Sequence, residues 1–452
     1  MKVLFSANAV TCHSKAQSIA SLSEISFEPP FASSTSMYRN ACLLFLALLL
    51  LACGTASPDP DVTQDNQGTN QTDENGEEVN QNVPPEPVSL RVATYNTSMY
   101  RANPGQLLED LADPSVQQIR GIAAVIQVNR PDVLFVNEFD YDEEGQALDL
   151  FRENFLEVGQ LGEEPIFYPY AYAVPSNTGI PSGVDLNNDG IVDGEIGTEE
   201  YAQNAFGFGT HPGQYASAIF SKYPLDIENA RFLQEFLWKD MPDNRIPRDY
   251  YSDEALDVLR LSSKNHVDMP ILVGGHVLHL IGAHPTPPAF DGPEQRNVRR
   301  NHDEVRLIHD YIRPTHSGYI YDQDGVTGGL PEGARFVIVG DLNADPFDGG
   351  SSEAIAALLG DTILSDPLPE SEGGEFFGER RGGANDQHQG AHKHDTALFS
   401  PAVGNLRVDY AIPSANLEVH GSAVFWPTPT QTHGNLVTFT DHRLVWVDIT
   451  IE

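Results

Sequence analysis

The stretch Phe336–Pro346 reads F-V-I-V-G-D-L-N-A-D-P. Phe336, Val337, Ile338 and Val339 form a short, continuous apolar run, rich in β-branched residues, that stops at Gly340. Such a run suits a strand buried on both faces, as in a sheet covered by helices. Asp341 and Asn343 follow, two residues apart, so a strand that persists to Asn343 sends both side chains out of one face at its carboxyl end. A carboxylate and an amide then meet in one small volume. The competing reading is a plain turn, which Asp, Asn and Gly open readily.

Three further apolar stretches end in comparable groups. Val88–Tyr95 delivers Asn96, Val133–Val136 leads to Glu138, and His279–Ala283 leads to His284 before a run of prolines. A glutamate on a buried strand is costly without a partner or a metal. Between the first two stretches, Ile119, Ile122 and Ile126 recur at helical spacing within Ser115–Arg130, and Pro131 stops the pattern. Strand, helix and strand in succession predict an α/β chain with a covered sheet.

Tyr215–Phe220 predicts another strand, whereas 231–269 shows no readable period. Arg296–Ile312 predicts a long helix with Val298, Val305 and Ile308 inward and Arg299, Arg300 and Arg306 in solvent. Ser352–Leu359 predicts a short helix. Residues 366–395 read as a glycine-rich loop carrying His388, His392 and His394 at no fixed zinc-ligand spacing. Val408–Ile412 predicts a strand with Asp409 in its middle, and Thr440-Asp441-His442 opens the last strand.

The 452 residues carry 26 Lys plus Arg against 65 Asp plus Glu, a net charge of −39. That surface favours solubility and repels polyanions unless cations or a local basic patch intervene. Cys12, Cys42 and Cys53 offer no disulfide framework. Met37–Ala52 has one arginine followed by an apolar run of secretory-signal length, too short for a comfortable membrane span. Leu50-Leu51-Ala52-Cys53 resembles the lipobox of bacterial lipoproteins. That resemblance implies cleavage before Cys53, its acylation, and a lipoprotein of the cell envelope held to the membrane by its acyl chains; an ordinary secretory signal is the alternative, and residues 1–36, which show no targeting pattern, place the start at Met37. Residues 53–87 are polar and acidic and read as a disordered tether. An insertion near 183–200 places Asp185, Asn187, Asp189 and Asp193 at positions 1, 3, 5 and 9 of a calcium-binding loop, with Gly190 at position 6 and Ile196 where a glutamate is usual. It predicts either bound Ca2+ or a polar surface turn.

Only a compact sheet architecture brings together groups scattered over so much chain. Asn96, the Glu138 strand, the His284 strand, G-D-L-N at 340–343, R-V-D-Y at 407–410 and T-D-H at 440–442 resemble, in this order, the endonuclease/exonuclease/phosphatase superfamily with its deoxyribonuclease-like fold. The resemblance covers 88–452. It implies a four-layered α/β sandwich, two packed mixed β-sheets flanked by helices, with a site at one end. It implies further that Glu138, Asn96 and Asp441 hold Mg2+ or Mn2+, that His442 is the general base oriented by Asp409, and that His284 donates to the phosphate or leaving oxygen. Asp341 and Asn343 would orient the nucleophile and bind the transition-state oxygens. Ser98 stands where some family nucleases carry a further acidic metal ligand. The expected activity is metal-dependent hydrolysis of a phosphodiester in nucleic acid, lipid or sugar phosphate by a monomer. Phosphomonoester hydrolysis and a non-catalytic calcium-binding module on the same fold are the alternatives.

Overall fold

Residue alternation along Val88–Met99 decides the layering. Leu90 and Val92 enter an apolar layer shared by two sheets, while Ala93 and Tyr95 enter a second layer beneath helices. The computed structural model describes residues 85–452. The signal region, Cys53 and the tether up to residue 84 lie outside the described residues.

In chain order the strands are β1 (Val88–Met99), β2 (Val133–Phe139), β3 (Tyr170–Val174), β4 (Ser217–Ser221), β5 (Arg231–Phe232), β6 (His266–Val273) and β7 (His276–Ala283). There follow β8 (Phe336–Asp341), β9 (Ala397–Leu398), β10 (Asn405–Leu406), β11 (Asp409–Pro413), β12 (Glu418–Val424) and β13 (Val445–Ile451). One sheet runs β12-β13-β1-β2-β4-β3 and the other β11-β8-β7-β6-β5, with β9 and β10 as a separate pair. Each large sheet is mixed: β1 with β2, and β7 with β8, are parallel, and the remaining pairs are antiparallel.

Leu90, Val92, Val133, Phe135 and Ile219 of the first sheet pack against Met269, Leu278, Leu280, Val337 and Val339 of the second. On the first sheet's outer face lie α1 (Gln106–Ala112), α2 (Gln117–Asn129) and α3 (Gln146–Phe151). The insertion carries α4 (Glu199–Gln203), and α5 (Asp253–Val258), α6 (Arg296–Tyr311) and α7 (Glu353–Leu359) cover the second sheet. The expected sandwich of two packed mixed sheets flanked by helices is the architecture found.

Several local readings change. β6 hides in the unreadable region because Pro270 interrupts its pattern; β5 pairs only with Val267 and Asp268, so the missing N–H of Pro270 faces no strand. Asp409 is the first residue of β11, not its middle, and Thr440-Asp441-His442 forms a turn ahead of β13. Arg300 does not solvate α6: its guanidinium donates to the carbonyls of Leu261, Phe206 and Arg260 at 2.9, 2.6 and 2.8 Å. The glycine-rich loop contains a helix, α8 (Glu372–Arg381), whose Gly373 and Gly378 let Trp426 and His392 approach where a Cβ would collide. Glycine is tolerated there because close packing offsets its poor helix propensity.

Candidate active site

The alternation that builds the inter-sheet layer also builds the site. Asn96 continues Leu90 and Val92, Asn137 continues Val133 and Phe135, His284 continues Leu278 and Leu280, and Asp341 continues Val337 and Val339. Asp409 shares its face with Ala411. At one end of the sandwich, therefore, the same face of each strand turns from aliphatic to polar. Asn96 Nδ2 donates to Asp341 Oδ2 at 3.0 Å, tying the two sheets together. Asn137 Oδ1 accepts the amide of Asp341 at 3.0 Å.

His442 sits between two buried carboxylates. Its Nδ1 lies 2.9 Å from Asp409 Oδ2, and its Nε2 lies 3.6 Å from Asp341 Oδ2. Thr396 fixes Asp409 in turn, its hydroxyl donating to Asp409 Oδ2 at 2.8 Å while accepting the amides of Val408 and Asp409. Burial alone would lower the His442 pKa, but Asp409 and Asp341 outweigh it and push it up to about 10. Burial also raises Asp341, reinforced by Asp409 and opposed by His442. His284 Nε2 lies 3.6 Å from Asp341 Oδ2 and its Nδ1 is buried without a partner. Burial, with Lys264 and His442 nearby, pushes His284 well below the usual histidine range, so it enters the site as a neutral imidazole.

The backbone turns sharply around this cluster. Ser98, Glu138, Tyr215 and Asn343 all have left-handed φ values, of 48°, 59°, 60° and 51°. Each costs a non-glycine residue on the order of 1–3 kcal/mol, and such strain collects where side chains must be aimed. The turn at Glu138 leaves its carboxylate half-buried. Burial raises its pKa, only partly countered by His442, the Asn96 amide and Lys264. A divalent cation would offset that penalty, and the surrounding oxygens of Asn96 and the exposed Asp441 are hard donors of the kind Mg2+ and Mn2+ take. Ser98 Oγ meets Thr440 Oγ1 at 3.0 Å and Asp441 Oδ1 at 3.4 Å, holding the two flanks of this group. Asn343 donates its amide N–H to Asp341 Oδ1 at 2.9 Å and its Nδ2 to the Pro285 carbonyl at 3.1 Å.

Helix α6 braces the loops from below. Asn301 Nδ2 donates to the carbonyls of Thr286 and Leu342, and the buried Glu304 accepts the amides of Ser263 and Thr286. Asn137, Thr396, Lys264 and the Tyr100–Tyr215 ring pair, 4.5 Å between centroids, escape a reading of the sequence. Asn137 alone had a signal, since its parity places it on the inter-sheet face. The insertion residues behave differently from the site residues. Asp185 accepts the amides of Asn187, Asn188 and Gly190, and Asp189 accepts from Asn187 Nδ2 and from the Ile191 amide. Among the described residues, Asp185, Asp189 and Asp193 do not converge on a common ligand sphere.

The sequence profile of the Endonuclease/Exonuclease/phosphatase family matches residues 93–442. The chain belongs to this family. It is a metal-dependent phosphoester hydrolase. Solved structures of similar fold include an endonuclease/exonuclease/phosphatase from Beutenbergia cavernae, 16% identical over 80% of this chain and 71% of that one, with a TM-score of 0.44. Sphingomyelinase C from Streptomyces griseocarneus is 15% identical over 80% of this chain and 99% of that one, with a TM-score of 0.41. Truncated Caenorhabditis elegans TDP2 is 13% identical over 80% and 98%, with a TM-score of 0.39. No curated protein sequence matches the chain.

Proposed function

We propose that this hydrolase cleaves phosphodiester bonds outside the cytoplasm, with His442 taking the proton of the attacking water. The observation that supports this reading is the placement of His442, held at Nδ1 by Asp409 at 2.9 Å with Nε2 turned toward Asp341. His442 acts as base in its neutral form: Asp409 keeps the proton on Nδ1, and only after the Nε2 proton, which the two carboxylates hold up to about pH 10 in the metal-free site, has left does the Nε2 lone pair face the nucleophile. As the water oxygen bonds to phosphorus, its proton passes to His442 Nε2 and the bond from phosphorus to the leaving oxygen breaks. His284, neutral, donates one N–H to a phosphoryl or leaving oxygen. Asn343 and Asn96 contribute amide groups at the same rim, and Asp341 fixes their geometry through its bonds to both.

Glu138, with Asn96 and Asp441, would hold Mg2+ or Mn2+, which supplies charge neutralisation for the phosphoryl oxygens. The net charge of −39 favours small or lipid-linked phosphodiesters over a long polyanion. Purified protein assayed on bis(4-nitrophenyl) phosphate and 4-nitrophenyl phosphate, with and without EDTA, tests the reading. Chelator-sensitive cleavage of the diester in preference to the monoester supports it, and activity on the monoester alone overturns it.

In the same proposal the chain is exported and anchored through Cys53, as a monomer. Mass spectrometry of the N-terminus from membrane fractions decides this: a diacylated cysteine supports it and an unmodified N-terminus elsewhere overturns it. The insertion is proposed to bind Ca2+ through Asp185, Asn187, Asp189 and Asp193, on a loop curled by the left-handed Asn188 and Gly190, with the ion drawing together carboxylates that stand apart without it. An unchanged melting temperature on adding Ca2+ to chelated protein would remove that ion from the proposal.

A further inference from the structure

A second cluster of ligating groups lies outside the phosphoesterase site. His388, His392 and Asp395 each offer one ligand atom within 4.8 Å of the others. The His388 side chain is only 4% exposed and that of Asp395 only 2%. His388 Nε2 points at Asp395 Oδ1, 3.2 Å away, yet is buried without a hydrogen-bond partner. His392 Nδ1 lies 2.9 Å from Asp395 Oδ2. The two imidazoles stack at 4.2 Å between centroids with 15° between planes, so both rings present an edge to the same carboxylate.

The two nitrogen–oxygen separations are near those of neighbouring donors on one tetrahedral ion, and the stacked rings would turn on binding so that both lone pairs reach it. Zinc binds imidazole nitrogen and carboxylate oxygen at about 2.0–2.2 Å, which places neighbouring donors roughly 3.3 Å apart. The other nitrogen of His388, Nδ1, lies 3.2 Å from Asp348 Oδ2. A carboxylate there fixes the tautomer that leaves Nε2 free to coordinate, the arrangement seen behind most metal-bound histidines. Asp348 is itself oriented by the amides of Gln389 and Gly390 at 3.0 and 2.9 Å. Gly378 of α8 lies under the His392 ring, and a Cβ there would drive the ring out of place.

We infer that His388 Nε2, His392 Nδ1 and the Asp395 carboxylate form a binding site for a divalent transition ion, Zn2+ by its mixed nitrogen and oxygen donors, distinct from the catalytic centre. The donor set differs from the all-oxygen group around Glu138, so the two sites select different ions. The zinc site would fix the segment 388–395 on itself, with the His392 ring packed over Gly378 of α8. Its last ligand is followed directly by Thr396, whose hydroxyl holds Asp409, and by Ala397, which bridges to His442. An ion here is thus a structural clamp behind the catalytic base.

The test uses full-length protein stripped with chelator and dialysed against ZnCl2, with bound metal measured by mass spectrometry and tetrahedral coordination read from the visible bands after Co2+ substitution. Wild type and Glu138→Gln should each keep one zinc ion per chain and show those bands. His392→Asn and His388→Gln should lose both. Asp348→Asn should remain folded and bind about 10–100-fold more weakly. Zn2+ should raise the melting temperature of wild type but not of His392→Asn. Should the histidine variants not fold, the cobalt spectrum of wild type and the zinc titration of Asp348→Asn still decide. Zinc retention that is unchanged in the folded histidine variants, or that disappears with Glu138→Gln, overturns the site, as does a wild-type cobalt spectrum without tetrahedral bands.

Discussion

Asp341 and Asp409 are register partners across the β8–β11 ladder, and both carboxylates face the same imidazole, that of His442. Directly opposed carboxylates on adjacent strands repel one another. The cation between them removes that repulsion, and Asn96, Asn343 and Thr396 take up the remaining oxygens. Removing the imidazole therefore removes a base and exposes a conflict.

His442→Ala should lower turnover by roughly 10²-fold or more, the usual contribution of a positioned general base. Because the metal ligands are untouched, the concentration of Mg2+ giving half-maximal activity should change little. Full activity in folded His442→Ala protein would reject the base assignment.

Asp409→Asn should resemble the histidine variant in rate and also shift its pH profile. Asp409 is the first cause that raises the His442 pKa against burial. With Asn in its place, the pH at which the rate reaches its plateau should move down. A plateau at the wild-type pH, measured as kcat/KM from pH 6 to 10, would show that another group controls the titration.

Glu138→Gln should fail in a third way. Losing a carboxylate ligand should cut activity, with partial recovery at high Mg2+ or Mn2+. The substitution also removes a half-buried carboxyl whose ionised form desolvation disfavours, so the metal-free variant should melt no lower than wild type. Activity at wild-type metal concentrations would remove Glu138 from the metal site.

Much of this site was legible because it obeys the strand period. Asn96, His284 and Asp341 keep the parity of the valines and leucines before them, so period-2 reading places them on one face. Parity fails at Glu138, where a left-handed turn re-aims the carboxylate; that residue was singled out by the cost of a carboxylate on a buried strand and by the family resemblance. Thr396 and Lys264 were invisible for another reason. Their roles come from loops brought in by α6 and β9, contacts that no local pattern records. Of the second cluster, His388 and His392 were visible as a histidine-rich loop, whereas Asp395 was not, because no fixed ligand spacing marks it.

Gly340 carries the backbone into Asp341 with φ 135°, and a Cβ there would collide with the Ala283 carbonyl on the parallel neighbour β7. Gly340→Ala should cost about 1–3 kcal/mol or more, since both the conformation and the space exclude a side chain. It should also displace Asp341, so activity should fall further than stability predicts. A chemical-denaturation midpoint equal to wild type would contradict this account of the strand end.

The charge state of His442 gives the stability of the metal-free protein a definite pH dependence. Its folded pKa, about 10, lies above the ordinary histidine value of about 6.5, so the folded state holds this proton more tightly than the unfolded chain. The resulting stabilisation is fully present below pH ~6.5 and is lost as pH rises toward 10. Lys264 and Arg443 are shifted down by burial and act with the opposite sign in the upper part of this window. A comparison of wild type with His442→Gln in EDTA cancels those two groups, because both proteins carry them. The difference in melting temperature should be largest near pH 6 and shrink steadily to pH 9–10. A difference that stays constant over this range would mean that His442 is neutral in the folded metal-free protein, and that Asp341 and Asp409 are held apart by something other than its charge.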